Sequence, residues 1–259
     1  LAVWSRTTSL SPGFIIQGNT MNTLVQRTCL ILILLSMLIP ATISSQSIPL
    51  NKYGARVVES VEFYKETIAK NSEKQLVDLE KFIPGIVVDI KYATPDNFTK
   101  QTLYSKPKAF ARLPVAESLK KIQTELGKKG LGLKIFDTYR PYRYTVFMWN
   151  LIRNPMYVAS PKSGSRHNRG CAVDLTIIEL ATGKELEMPT PYDDFTVKAH
   201  HTHWNLPKKA IENRSLLKTV MEKYGFTSMQ SEWWHYDFKG FQKFELLDIT
   251  FEQLEKLNP

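Results

Sequence analysis

Two short stretches of this chain carry side chains that can hold a metal and move a proton. The first is Ser165-Arg-His167-Asn-Arg-Gly170-Cys-Ala-Val-Asp174, and the second is Glu232-Trp-Trp-His235. A catalytic zinc site takes three protein ligands and keeps a fourth position open for water. His167, Asp174 and His235 would supply such a set. Two neutral imidazoles and one carboxylate leave the site net positive around Zn²⁺, which lowers the pKa of bound water toward neutrality. Glu232, three residues before His235, is an unligated carboxylate within reach of the same water. It suits a general base that later returns the proton to a leaving amine. As spacings alone, H-x6-D and E-x-x-H are weak patterns; they also fit a hydrogen-bonded loop histidine and a core strand that starts on an acid. In Ala199-His-His-Thr-His203, His201 and His203 form a rival ligand pair, in a long polar loop where surface exposure is the simpler expectation. Arg140, in Asp137-Thr-Tyr-Arg-Pro141, either stabilises a developing oxyanion beside the metal or pairs with Asp137 at a helix start.

The elements that must carry these residues follow from periodicity and breakers. Residues 86–92 read as a strand. Pro114 opens a helix with Val115, Leu119, Ile122 and Leu126 on one face, ended by Gly127 or Gly130. Residues 131–136 form a second strand, and 141–153 a helix bounded by Pro141 and Pro155. His167 lies in a Pro/Ser/Gly/Arg loop, 154–169, and Asp174 on a strand, 171–178, with Gly170 allowing the tight turn between them. A turn at 181–184 leads toward a partner strand, 189–206 is a polar loop, and 208–224 is a helix capped by Gly225. An aromatic strand spans 232–238, with Trp233 and Trp234 as core residues. A closing helix spans 250–257 and a weakly periodic peripheral helix spans 54–70. In an ideal strand Glu232 and His235 face opposite sides, so a bulge or a strand end is needed for both to reach one metal. Strands and helices mix without regular alternation, which predicts an α+β fold: a small, mostly antiparallel sheet flanked by helices.

Composition narrows the class. The chain has 259 residues, 34 Lys and Arg against 25 acids, 43% hydrophobic residues and 2 Cys. That is enough to bury a core in one or two domains. It excludes a disulfide-rich scaffold, a disordered chain and a collagen-like repeat. Residues 1–45 hold only two charges, Arg6 and Arg27. From Met21 a short basic stretch leads into the apolar run 29–39 and then into small residues, the order of a secretory signal peptide. The run is too short to span a bilayer; an uncleaved signal-anchor is the rival. The expectation is residues 1–20 as an over-extended reading frame, 21–45 as the signal with cleavage near Ser45/Gln46, and 46–259 as one secreted or periplasmic domain without stable membrane insertion. Without residues 1–45 the net charge falls from +9 to +7. Cys171 then stands alone, a small buried side chain rather than a nucleophile. The positive charge is spread out with no nucleic-acid motif, so no nucleic-acid partner is expected.

Taken in order, these motifs resemble the zinc D-alanyl-D-alanine dipeptidases, the family of the vancomycin-resistance D,D-dipeptidases. It is a branch of a larger group that includes D,D-carboxypeptidases, some endolysins and the hedgehog signalling domain. Ser165-x-His167-x-x-Gly170-x-Ala172-x-Asp174 and Glu232-x-Trp234-His235 carry the resemblance. The segments 89–99, 137–141 and 188–193 extend it over about residues 76–240. The chain departs from the family at Pro189, where Gly is expected, and at Cys171, where Ser is common. The resemblance implies one Zn²⁺ on His167, Asp174 and His235, with Glu232 as general base and Arg140 on the tetrahedral intermediate. It also implies Asp193 on the free amine of a small D-amino-acid dipeptide, with Ser165 and Tyr92 as lesser contacts. The implied activity is hydrolysis of D-Ala-D-Ala. A D,D-carboxypeptidase or other peptidoglycan peptidase of the same group is the alternative, and a non-catalytic zinc-stabilised binding domain the alternative of another class.

Overall fold

The computed structural model of the chain describes residues 48–258 and the isolated Gly13. The expected signal segment and its cleavage point lie outside the described residues. The chain enters through β1 (Val57–Val58) and α1 (Val61–Lys70), which Ser60 caps by accepting from the Phe63 amide. The helix expected at 54–70 starts only at Val61, because Val57 and Val58 pair in parallel with Leu246 and Leu247. Then come β2 (Leu76–Asp78), α2 (Leu79–Phe82) and β3 (Val87–Val88). The strand expected over 86–92 shrinks to those two residues. The Lys91 carbonyl accepts from the Asn97 side-chain amide, and the Tyr92 carbonyl from the Leu103 and Tyr104 amides, local partners in place of a ladder. Lys91–Ala93 instead forms a 3-10 turn on which Tyr92 is buried.

β4 (Phe110–Arg112) pairs with β2 and runs into α3 (Leu113–Gly127), where Pro114 occupies the first turn and Val115, Leu119, Ile122 and Leu126 are buried. β5 (Leu131–Asp137) and α4 (Tyr142–Ile152) follow as expected; Arg153 closes α4 in the left-handed region. β6 (Ala172–Glu179) is buried along all but its last residue. The partner strand expected after the 181–184 turn is reduced to one bridge, Ile178 to Glu185. The rest of the fold is α5 (Lys208–Lys223), β7 (Phe226–Ser228), β8 (His235–Phe238), β9 (Leu246–Leu247) and α6 (Phe251–Leu257). A capping box of Thr250 and Gln253 starts α6.

The central sheet has the order β3-β5-β6-β8-β7, with β3 parallel to β5 and every other pair antiparallel. The fold is α+β, as the unalternating element order implies. The aromatic strand expected over 232–238 begins only at His235; Glu232 lies in the turn before it. That strand end removes the parity conflict between Glu232 and His235. Residues Ile48–Pro259 form one compact unit, and among the described residues no helix is long and apolar enough to cross a membrane.

The turn between His167 and β6 is fixed by a close approach. Gly170 sits at φ +67°, where a Cβ would collide with Leu76 Cδ2 and press on the Arg112 backbone. The Arg112 amide donates to the Gly170 carbonyl at 3.0 Å, and the buried Arg112 guanidinium donates to Arg169 O at 2.7 Å. Gly170→Val combines left-handed strain with overpacking, so it should lower unfolding stability by about 2–4 kcal/mol in a urea titration.

Candidate metal centre

Sheet register brings the first ligands together. Asp174 on β6 is the direct cross-strand partner of His235 on β8, so both side chains leave the same face. A register shift between Ile135 and Asp137 sets Asp137, the last residue of β5, opposite Asp174 on its other side. His167 arrives from the 3-10 turn His167–Arg169. That turn is tied down by the buried Asn168, whose amide nitrogen donates to Arg140 O and Thr145 Oγ1 and whose oxygen accepts from the Ser165 amide.

The three inward donor atoms form a triangle. His167 Nε2 lies 3.2 Å from His235 Nδ1 and 3.4 Å from Asp174 Oδ1, and His235 Nδ1 lies 2.9 Å from Asp174 Oδ1. A tetrahedral zinc with bonds of about 2.0–2.1 Å has ligand–ligand edges of about 3.3 Å. The outer nitrogens are engaged as a metal site requires. His167 Nδ1 donates to the Thr138 carbonyl at 2.6 Å, and His235 Nε2 donates to Asp237 Oδ1 at 3.1 Å. Each bond places the ring proton outside and leaves the inward nitrogen a lone pair. Two imidazole lone pairs facing each other across 3.2 Å, with a carboxylate closing the triangle, fit a divalent cation. Among the described residues these three are the group able to hold one.

The remaining expected residues surround this triangle. Glu232 lies 3.9 Å from His235 Nδ1; burial first, then the charges of Asp174 and Asp237, push its carboxyl up to about 7. Arg140 donates through Nε and Nη2 to Asp137 Oδ2 at 3.0 and 2.7 Å and stacks on the Tyr92 ring, while also lining the cavity. The two readings of Arg140 are therefore compatible: the ion pair with Asp137 aims the guanidinium. Tyr92 donates to Asp193, which sits at φ +60°; burial and the charge of Asp174 raise the Asp193 carboxyl well above its ordinary range. Ser165 Oγ accepts from the His167 amide at 3.2 Å, which leaves its own proton free to donate into the cavity. All eight expected residues line one small, partly open cavity of about 100 Å³.

Residues outside the expected set also shape the site. Tyr192 donates to the second oxygen of Asp174 at 2.9 Å, and Tyr104 donates to Asp137 at 3.0 Å. Asp237 orients His235 and faces Arg166. Adjacency was the available signal for two of them, since Tyr192 precedes Asp193 and Asp237 follows His235 by two. Tyr104 carried none. The rival histidines are not at the centre: His201 is buried elsewhere, against the expectation of exposure, because its ring packs on Tyr236, and His203 is half-buried. The Cys171 thiol is buried and pushed up to about 12 by that burial, the inert side chain its apolar run implied.

Three candidate metal donors beside an unligated carboxylate and an aimed guanidinium, in a small cavity on a mostly antiparallel sheet, define a metallopeptidase. A family model described as D-ala-D-ala dipeptidase matches residues 72–254. The D-alanyl-D-alanine dipeptidase of Escherichia coli (strain K12) is 33% identical over 177 residues, covering 68% of this chain and 91% of that protein. The D-alanyl-D-alanine dipeptidase of Enterococcus faecium is 34% identical over 181 residues, covering 61% and 88%. The chain belongs to the D-ala-D-ala dipeptidase family, as the order of its motifs implied.

Removing one corner of the triangle should empty it. Elemental analysis of the purified protein should find one zinc per chain, falling to near none in His167→Ala and His235→Ala. Stoichiometric zinc in both variants would move the ligands elsewhere.

Proposed function

We propose that this chain hydrolyses the dipeptide D-Ala-D-Ala, with His167, Asp174 and His235 holding zinc. The observation that carries the reading is the placement of Glu232, Arg140 and Asp193 around the donor triangle in one small cavity. When bound, Zn²⁺ supplies Lewis-acid charge that polarises the scissile carbonyl and acidifies water. The chain's own groups do the rest. Glu232 takes the proton from the attacking water and delivers it to the leaving amine; a carboxyl near 7 suits both transfers at neutral pH. Arg140, held by Asp137, offers its remaining N–H groups to the carbonyl oxygen as negative charge develops there. Asp193 has no ion-pair partner among the described residues and is repelled by Asp174 and Glu232, so a substrate ammonium relieves it. Ser165 donates to the dipeptide's free carboxylate. A cavity of about 100 Å³ is well below the roughly 300–1,000 Å³ of drug-sized pockets, which favours a short substrate.

The chain is further proposed to be exported, supported by the basic, apolar and small-residue order of residues 21–45. Its net positive mature charge suits work beside an anionic cell wall. Mass spectrometry of the protein from culture supernatant or periplasm should find a mature N-terminus near Gln46; retention of the apolar run would support an anchor instead.

One substrate panel tests the activity. D-Ala-D-Ala should be cleaved efficiently. N-acetyl-D-Ala-D-Ala, which has no ammonium for Asp193, and a pentapeptide ending in D-Ala-D-Ala should be poor substrates. Preference for the pentapeptide would make the chain a D,D-carboxypeptidase. Glu232→Ala should keep its zinc and lose about 10²–10⁴-fold in kcat, the range for a general acid–base group. Full activity in that variant would remove Glu232 as the base.

A further inference from the structure

A dipeptide is a zwitterion, so it brings a carboxylate into the site as well as an ammonium. In the proposed mechanism that carboxylate meets a hydroxyl, Ser165, and no cation. Two arginines line the cavity, Arg140 and Arg166. Arg140 is held by Asp137 and serves the scissile carbonyl. Arg166 has no role in that scheme, and the motif Ser165-x-His167 assigns none to its position. It nevertheless stands between a cavity serine and a metal ligand, and all three residues line the same wall.

The contacts through the site run in a definite order. At one end Tyr92 donates to Asp193, and the Arg140 guanidinium stacks on the Tyr92 ring. Asp137, which holds Arg140, lies 3.6 Å from the His167 imidazole. The donor triangle follows. Beyond it His235 Nε2 donates to Asp237 Oδ1 at 3.1 Å, and Arg166 Nε lies 3.6 Å from Asp237 Oδ2. The acid that suits a substrate ammonium and Arg166 therefore stand at the two ends of this order, with the metal donors between them.

The Arg166 guanidinium is free to take a ligand. Its side chain is 47% exposed, and it lies over the Phe241 ring at 5.1 Å, a support that uses no donor. Its approach to Asp237 is longer than a hydrogen bond and involves Nε. Among the described residues no other acid pairs with it, which leaves both Nη groups for a planar carboxylate.

We propose that Arg166 is a specificity-determining residue that binds the free C-terminal carboxylate of the substrate beside Ser165. The inference rests on the dipeptidase reading and deepens it: Asp193 recognises one end of the zwitterion, and Arg166 the other. If Arg166 served only to neutralise Asp237, its loss would act through His235 and would not depend on the charge of the substrate.

The test uses the zinc-loaded mature protein with D-Ala-D-Ala and its C-terminal amide. Arg166→Gln should raise KM for D-Ala-D-Ala at least about tenfold and leave kcat within about twofold. On the amide, wild type and Arg166→Gln should agree within about twofold, since no carboxylate is there to lose. Arg166→Lys keeps the charge without the fork and should fall between them on D-Ala-D-Ala. Calorimetry in Glu232→Ala reads binding without turnover. Adding Arg166→Gln there should weaken D-Ala-D-Ala at least about tenfold, with amide binding and zinc content unchanged. Unchanged affinity for D-Ala-D-Ala, or equal losses on acid and amide, would overturn the proposal. Charge-dependent binding without cleavage by the wild type would sink the dipeptidase reading and leave the role of Arg166 standing.

Discussion

Three carboxylates share one small cavity without a cation of their own. Asp137 is answered by Arg140. Among the described residues Asp174, Glu232 and Asp193 have no lysine or arginine partner, and the charge on each acts on the next. Desolvated like charges at this range cannot all stay ionised unless positive charge is brought in. A divalent metal at the donor triangle and a substrate ammonium at Asp193 would bring three positive charges to three negative ones. The same excess acts on the ligands: burial alone would depress His235, yet without a metal Asp174 and Asp237 favour its protonated form and carry it well above the usual histidine range, so that a cation would displace the inward proton. Asp174 lies well below the usual carboxylate range, because His167 and His235 overcome its desolvation. A site so charged binds cations by construction, and its selectivity comes from where the rigid backbone puts each acid.

That backbone is held by a few buried polar joints. Asp137 gathers Arg140 and Tyr104 at the end of β5, where the register shift turns it toward Asp174. Asn168 locks the His167 turn to Arg140 and Thr145, so His167 and Arg140 are held as one unit. Arg112 holds the far side of the same turn through Arg169 and Gly170. Every one of these groups is satisfied, which is the condition for a buried polar network to fix a single geometry. The 189–206 loop plays a double part. It places Asp193 at the cavity and passes behind the sheet, where the His201 ring meets Tyr236 of β8 and the His200 carbonyl accepts from Arg214 of α5.

Local chemistry made much of this readable along the chain. Proline starts, glycine stops and the run 172–179 marked α3, α4, α5 and β6 closely, because each is set by propensity and burial within its own segment. Elements that depend on distant partners were misread. α1 starts late because Val57 and Val58 are drawn into pairing with β9. The 86–92 strand stops early because the carbonyls of Lys91 and Tyr92 find partners in the loop that follows, from Asn97, Leu103 and Tyr104. His201 was expected at the surface, since nothing near it in sequence announces the tyrosine it packs against.

By itself the sequence determined the chemistry: two histidines, an aspartate, a glutamate and an arginine of the right types, in an order that resembles one family over about 76–240. It did so because ligand identity and motif order are properties of the chain. Only the tertiary structure decided how they act together. The pairing of β6 with β8 made Asp174 and His235 neighbours, and the strand end at His235 freed Glu232 from strand alternation. The outer hydrogen bonds of the two imidazoles chose which nitrogens face inward. The distances of His235 from His167 and Asp174 arise between residues 68 and 61 apart in sequence, and no local pattern encodes them.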